Sequence, residues 1–224
     1  MKKLTLTCIG LAMSLFSHAA KGDVLFSDFG TGNSYNCCSG STISSTGSGY
    51  SAQASAFTLS GSGLQSLSQI DIAIGQLIAG GGFSVNILTD NNGALGTQVA
   101  GASWAALQPA ETNFGSVGSG MLTSITGISG VTLTGGDTYY LEITPTNPQD
   151  NTWYAWNLNN IGLNTDQYAT SQGSSWTDQG LQTAGAFDLL GSPMAATPEP
   201  GTLLLAGSGL AALTAALRRR LARG

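Results

Sequence analysis

The chain has 224 residues, twelve acids against seven Lys and Arg, and a formal charge of −5. The cations are Lys2, Lys3, Lys21, Arg218, Arg219, Arg220 and Arg223, so the stretch from residue 21 to 197 keeps Lys21 alone against every acid except Glu199 and stands near −10. That excludes nucleic acid as a partner, which needs clustered cations to displace counterions, and the single histidine, His18, leaves no Ser-His-Asp or Cys-His catalysis and no histidine-ligated zinc in the body.

At the N-terminus Lys2 and Lys3 precede an apolar run from Leu4 to Phe16, and Ser17-His18-Ala19-Ala20 supplies small residues for cleavage. This is the three-part pattern of a secretory signal peptide, expected as a helix over residues 1–20. Cys8 leaves with it. The body is therefore exported, and residues 21–190 are long enough for one domain with its own core. From Gly30 to Ser51 the chain is rich in Gly, Ser, Thr and Asn with few apolar anchors, which reads as a long loop or a poorly ordered arm. It holds Cys37 and Cys38, the cysteines that remain after export. Neighbouring Cα atoms lie about 3.8 Å apart, closer than the roughly 4.4–6.8 Å of ordinary disulfides, so the pair closes a vicinal disulfide, cross-links to another chain or stays reduced.

Beyond Ser51, apolar residues come in short alternating runs. Phe83, Val85 and Ile87 alternate with Ser84, Asn86 and Leu88, a strand that stops at the turn Asp90-Asn91-Asn92-Gly93. Further strands are expected at 55–59, 66–74, 98–104, 130–133, 138–144, 152–158 and 186–189. No long helical period precedes the tail. The pattern predicts an all-β fold, an antiparallel β-sandwich with jelly-roll-like connections.

Three features of the body invite a chemical reading. Asp90-Asn91-Asn92, Asp150-Asn151 and Asn164-Thr165-Asp166 carry hard oxygens suited to calcium, but such runs form turns first, and no calcium-binding loop of the EF-hand type is present. No metal ligand and no cofactor is assigned, with calcium the one option held open. Glu111 and Glu142, the glutamates of the body, are the pair a carboxylate-based hydrolase would use. Nothing but residue type links them, so no catalytic residue is assigned and the chain is expected not to be an enzyme. Trp153, Tyr154 and Trp156 sit on one expected strand, where Tyr154 and Trp156 share a face and Trp153 takes the other. All three cannot be core, so they are candidates for ligand-facing aromatics on which a sugar ring could stack, with core packing as the alternative.

Residues 191–197 are small and contain Pro193, which reads as a flexible linker. Pro198-Glu199-Pro200 then forms a stiff extended strip, because proline fixes φ and disfavours helix in the residue before it. The 17 residues from Gly201 to Leu217 carry no charge. As a helix they measure roughly 26 Å, slightly short of a hydrocarbon core of about 30 Å. Arg218, Arg219, Arg220 and Arg223 follow as a cytoplasmic basic stop.

This order of strip, apolar helix and arginines resembles the PEP-CTERM sorting signal of Gram-negative bacteria, a tail also known as the ice-binding protein C-terminal motif. The resemblance implies recognition of residues 198–224 by an exosortase, a membrane cysteine protease-transpeptidase. It also implies export across the inner membrane, a precursor anchored through its C-terminal helix, and a product at the cell surface or in an exopolysaccharide or biofilm matrix. In the body, Ala56-Phe57-Thr58-Leu59, the run Asp90 to Gly96 and Thr138-Tyr139-Tyr140-Leu141 resemble the choice-of-anchor ectodomains found upstream of such signals. The expected partners are thus an exosortase-type protease and exopolysaccharide. The alternatives are a carbohydrate-binding module, with or without calcium, and a carboxylate-based hydrolase.

Overall fold

The computed structural model describes residues 22–46, 49–115, 121–171 and 175–194. The expected signal helix and membrane helix lie outside these residues. Every helix or strand element among the described residues is a β-strand, and all strand ladders are antiparallel. Two sheets result. The smaller runs β1 (Asp23–Ser27), β14 (Phe187–Pro193), β4 (Gly63–Ile72), with β8 (Thr123–Thr126) and β9 (Thr132–Gly135) both pairing with β4. The larger runs β5 (Ile74–Ile78), β11 (Trp153–Leu158), β2 (Asn36–Thr46), β3 (Gly49–Thr58), β10 (Thr138–Pro145), β6 (Phe83–Asp90) and β7 (Leu95–Leu107). A hairpin of β12 (Asn164–Thr170) and β13 (Thr177–Thr183) joins the larger sheet through β3.

Alternation decides which face each strand buries. On β6, Phe83, Val85 and Ile87 are fully buried, while Ser84 and Asn86 between them remain half-exposed. On β10, Tyr139, Leu141 and Ile143 join the same core. The smaller sheet answers with Leu25, Ile70, Ile72, Ile125, Leu133, Phe187 and Leu189. Phe187 fastens the two layers: its ring lies 5.4 Å from Phe57 in an edge-on contact at 80° and 5.8 Å from Trp156. Such aromatic pairs add about 0.5–1.5 kcal/mol each to the area they bury. A single residue, Ala73, separates β4 from β5, so the chain passes from one sheet to the other at a corner. There the Ala73 N–H donates to the Ala186 carbonyl and its own carbonyl accepts from the Asn157 N–H.

Two expectations from sequence are corrected. Residues 30–51 are not a loop, because β2, held between β11 and β3, and the start of β3 together fill most of the span. Its side chains are small and polar, and Ile43 is its one fully buried aliphatic anchor, so backbone pairing builds this strand where apolar pattern does not. The linker expected from Gly191 begins inside β14, where Gly191, Ser192 and Pro193 pair with Leu67, Ser66 and Gln65. Pro193 is tolerated there because β1 reaches only to Gly191, which leaves β14 with an open edge at Pro193.

Candidate functional site

Strand β11 sorts the three aromatic candidates. Tyr154 and Trp156 are fully buried, and Trp153 is 38% exposed. The indole Nε1 of Trp156 donates to the Ala186 carbonyl at 3.2 Å, and the Tyr154 hydroxyl accepts from the Gly82 N–H at 3.1 Å. Each polar tip is thus satisfied inside the protein. Gly185 has to be glycine, because a Cβ there would come within 2.3 Å of the Trp156 ring. Tyr154 and Trp156 are therefore core residues, which corrects their assignment as ligand-facing, and Trp153 alone of the three stays on the surface. The strand alternates as the sequence requires; what the sequence lacks is which side the second sheet covers.

Cys37 and Cys38 lie on β2, with their sulfurs 2.7 Å apart as hydrogen-bonded thiols. Cys38 takes a left-handed backbone at φ 77°, a conformation that a side chain disfavours. The Cys38 contact, with burial added, pushes the Cys37 thiol up to about 11. Glu111, another contributor to that rise, is fully buried against β5. Its backbone bridges to Gly75, and its Oε1 accepts from the Gly115 N–H at 2.9 Å.

Glu142 stands elsewhere, on the outward face of β10, where burial raises its carboxyl and the Asn86 amide, donating at 2.6 Å, holds it back. The sheet order places three strands between β5 and β10. Glu111 bridges the outer edge of β5, so five strand steps of about 4.8 Å, roughly 24 Å along the sheet, separate it from Glu142, beyond the 5–9.5 Å of glycosidase carboxylates. The structure does not bring the hydrolase pair together.

The calcium candidates do not gather into one site: Asp166 and Asp90 both lie near Tyr168 and Tyr140, but Asp150 is not with them. Asp90 and Asp150 lie near opposite ends of the β6–β10 ladder, and each serves its own turn. Asp90 Oδ1 accepts from the Gly93 N–H, with Asn92 and Gly93 both left-handed as a two-residue hairpin turn requires. Asp150 Oδ1 accepts from the Asn147 amide. Among the described residues no group of three His, Cys, Asp or Glu is placed to hold a metal ion.

Two features escaped the sequence. Asp28 is fully buried, and its Oδ1 accepts from the Phe187 N–H at 2.7 Å. Burial pushes its carboxyl up to about 8, helped by the charge of Asp188 and opposed by that N–H. A single Asp set between Phe26 and Phe29 carries no sequence signal that it is buried. The second feature is a groove of about 370 Å³ between β2 and the β12–β13 hairpin, lined by the amides of Gln53, Gln167, Gln179 and Gln182. These residues are far apart in sequence, and glutamine is an ordinary surface residue, so only the pairing of β12 with β3 reveals them.

At the C-terminal edge the last backbone hydrogen bond of the described chain runs from the Met194 N–H to the Leu64 carbonyl. Residues 196–220 match the model of the PEP-CTERM protein-sorting motif. The match takes in Pro198, Glu199, Pro200, Arg218, Arg219 and Arg220; Arg223 follows it, and all seven lie outside the described residues. Such a motif indicates an exported protein whose membrane-anchored precursor is processed for the cell surface by an exosortase, itself a membrane protein. No curated protein matches the chain.

Proposed function

We propose that this chain is a non-enzymatic surface or extracellular-matrix protein of a Gram-negative bacterium, an ectodomain of the choice-of-anchor type that an exosortase releases from a short-lived C-terminal anchor. The observation that carries this reading is the motif match at residues 196–220. Chain length adds a physical constraint. Three residues, and so four Cα–Cα steps, separate Met194 from Pro198, so the strip stands no more than about 14 Å from the folded edge. The protease therefore works close against the smaller sheet, and the weak 201–217 span needs to hold the substrate only until cleavage. Two observations support the reading: Glu111 and Glu142 stand on well-separated strands of the larger sheet, and residues 21–197 contain no histidine.

The test is a change in the strip itself. Pro198, Glu199 and Pro200 all replaced by Ala should leave full-length, membrane-bound precursor in the native cells and abolish the processed surface form, with export unaffected. Intact Gly224 on surface material from the unaltered protein would reject the reading. A second outcome concerns β2. In an oxidising compartment Cys37 and Cys38 pass two electrons and two protons to a disulfide oxidant and close on each other. The peptide carrying both should then weigh two hydrogens less than its reduced form and resist alkylation.

Carbohydrate binding is the second reading, with exopolysaccharide as the partner. Trp153 keeps an exposed face, but the Gln-lined groove favours this reading more.

A further inference from the structure

We infer that the groove between β2 and the β12–β13 hairpin binds an uncharged polysaccharide. The inference rests on the domain being displayed outside the cell, and on neither the sorting signal nor Trp153.

The groove is the core face of the larger sheet, continued past the reach of the smaller one. Ser55 and Gln53 of β3 lie directly opposite Leu141 and Ile143 of β10, which are core residues. On the other side of β3 the same two positions face Gln167 and Ala169 of β12. Residues directly opposite share a face, so Phe57, Ser55 and Gln53 run along one side of β3 from aromatic core, through a buried hydroxyl, to amide. This side changes character because cover ends. The larger sheet forks here, with β3 pairing β2 at Gly49–Ser51 and β12 at Ala52–Ser55, and the fork opens the groove.

Its chemistry selects a class of ligand. No lining residue is ionisable; Gln53, Gln167, Gln179 and Gln182 are joined by the hydroxyls of Ser41 and Thr183. An amide offers donors and an acceptor side by side, the complement of adjacent sugar hydroxyls. Ala169 and Leu158 supply apolar surface for the C–H face of a ring. An anionic polymer would meet no cation here in a domain of strongly negative charge. A cationic polymer would find no carboxylate within the groove, because Asp166 and Asp178 cluster around Tyr168, whose ring packs with Tyr140 in a separate cluster. A volume near 370 Å³ falls in the usual range of small-ligand clefts, roughly 300–1,000 Å³.

The amides are also held before any ligand arrives. Gln167, 4% exposed, donates through Nε2 to Ser55 Oγ at 2.7 Å and to Thr165 Oγ1 at 3.2 Å. Gln182 donates to the Gln179 carbonyl at 3.1 Å, and Gln179 to the Thr177 carbonyl at 3.2 Å. Side chains fixed in this way lose little freedom on binding.

The test is affinity electrophoresis of the full-length chain in mild detergent through gels containing dextran, soluble starch, mixed-linkage β-glucan or galactomannan. Alginate serves as the anionic comparison and chitosan as the cationic one. Retardation is expected in at least one neutral gel and stronger there than in either charged gel. Gln53→Ala and Gln182→Ala should each weaken that retardation about three- to tenfold, the worth of one or two hydrogen bonds, with unchanged thermal unfolding. Trp153→Ala, at the opposite end of β11 from Leu158, should leave it intact. Passage through all four neutral gels without delay overturns the inference, as does preference for a charged polymer, indifference to both glutamine changes, or loss of binding in Trp153→Ala instead. The assay uses purified protein, so a failure of sorting in cells would leave its outcome untouched.

Discussion

Trp156→Ala should destabilise the domain by about 3–5 kcal/mol, the usual cost of deleting a buried indole. The ring is fully buried, touches Phe187 across the two sheets and gives its N–H to the Ala186 carbonyl. Truncation opens a cavity between the layers and leaves that carbonyl with the Ala73 N–H as its remaining donor, so the cost is chiefly that of the lost packing. Trp153→Ala, two residues away and 38% exposed, should cost less than about 1 kcal/mol. Urea unfolding of both variants gives the comparison directly. Equal midpoints would mean that Trp156 is not packed between the sheets.

Asp28→Asn should make the protein more stable at alkaline pH and change little in acid. The Asp28 carboxyl is pushed up to about 8 from an ordinary 3.8, chiefly by burial. Below about pH 4 the folded and unfolded chains both hold the proton, and burial carries no ionic penalty. As pH rises from 4 to 8 the unfolded chain releases its proton while the folded chain retains it, so stability falls across this window, by at most about 1.4 kcal/mol per pH unit. Above pH 8 both forms are ionised and the slope ends. Asparagine keeps an oxygen for the Phe187 N–H and does not titrate, so the variant should gain on the order of 2–5 kcal/mol over the parent at pH 8 and none at pH 4. Urea titrations at the two values measure the difference, and a parent and variant that track each other from pH 4 to 8 would show Asp28 to be solvated.

The fold was legible where one face is apolar and the other is not. β6 and β10 announce themselves through Phe83-Val85-Ile87 and Tyr139-Leu141-Ile143, and the turn after Asp90 is written in Asn92-Gly93. β2, β12 and β13 were invisible for the opposite reason: Ser, Thr, Gly and Gln occupy both faces, and such strands exist only because neighbours supply hydrogen-bond partners. The same blindness hid the groove, which those strands build. On β11 the alternation of Trp153, Tyr154 and Trp156 was readable, but the side covered by the smaller sheet is a property of Phe187, more than thirty residues further on. The sorting motif was legible in full because its parts are contiguous, whereas Glu111 and Glu142 could be judged only once the strand order gave their separation.

β1 and β14 open and close the described chain and lie side by side, and β14 is the sole strand that β1 pairs with. A polypeptide crossing a membrane with its N-terminus leading delivers β1 first and must wait for residues 187–193 before that strand has anything to zip onto. Long-range pairing of this kind is slow in any case. The smaller layer therefore shuts at nearly the moment the hydrophobic stop reaches the translocation pore, and completion of transport becomes the event that permits the domain to close.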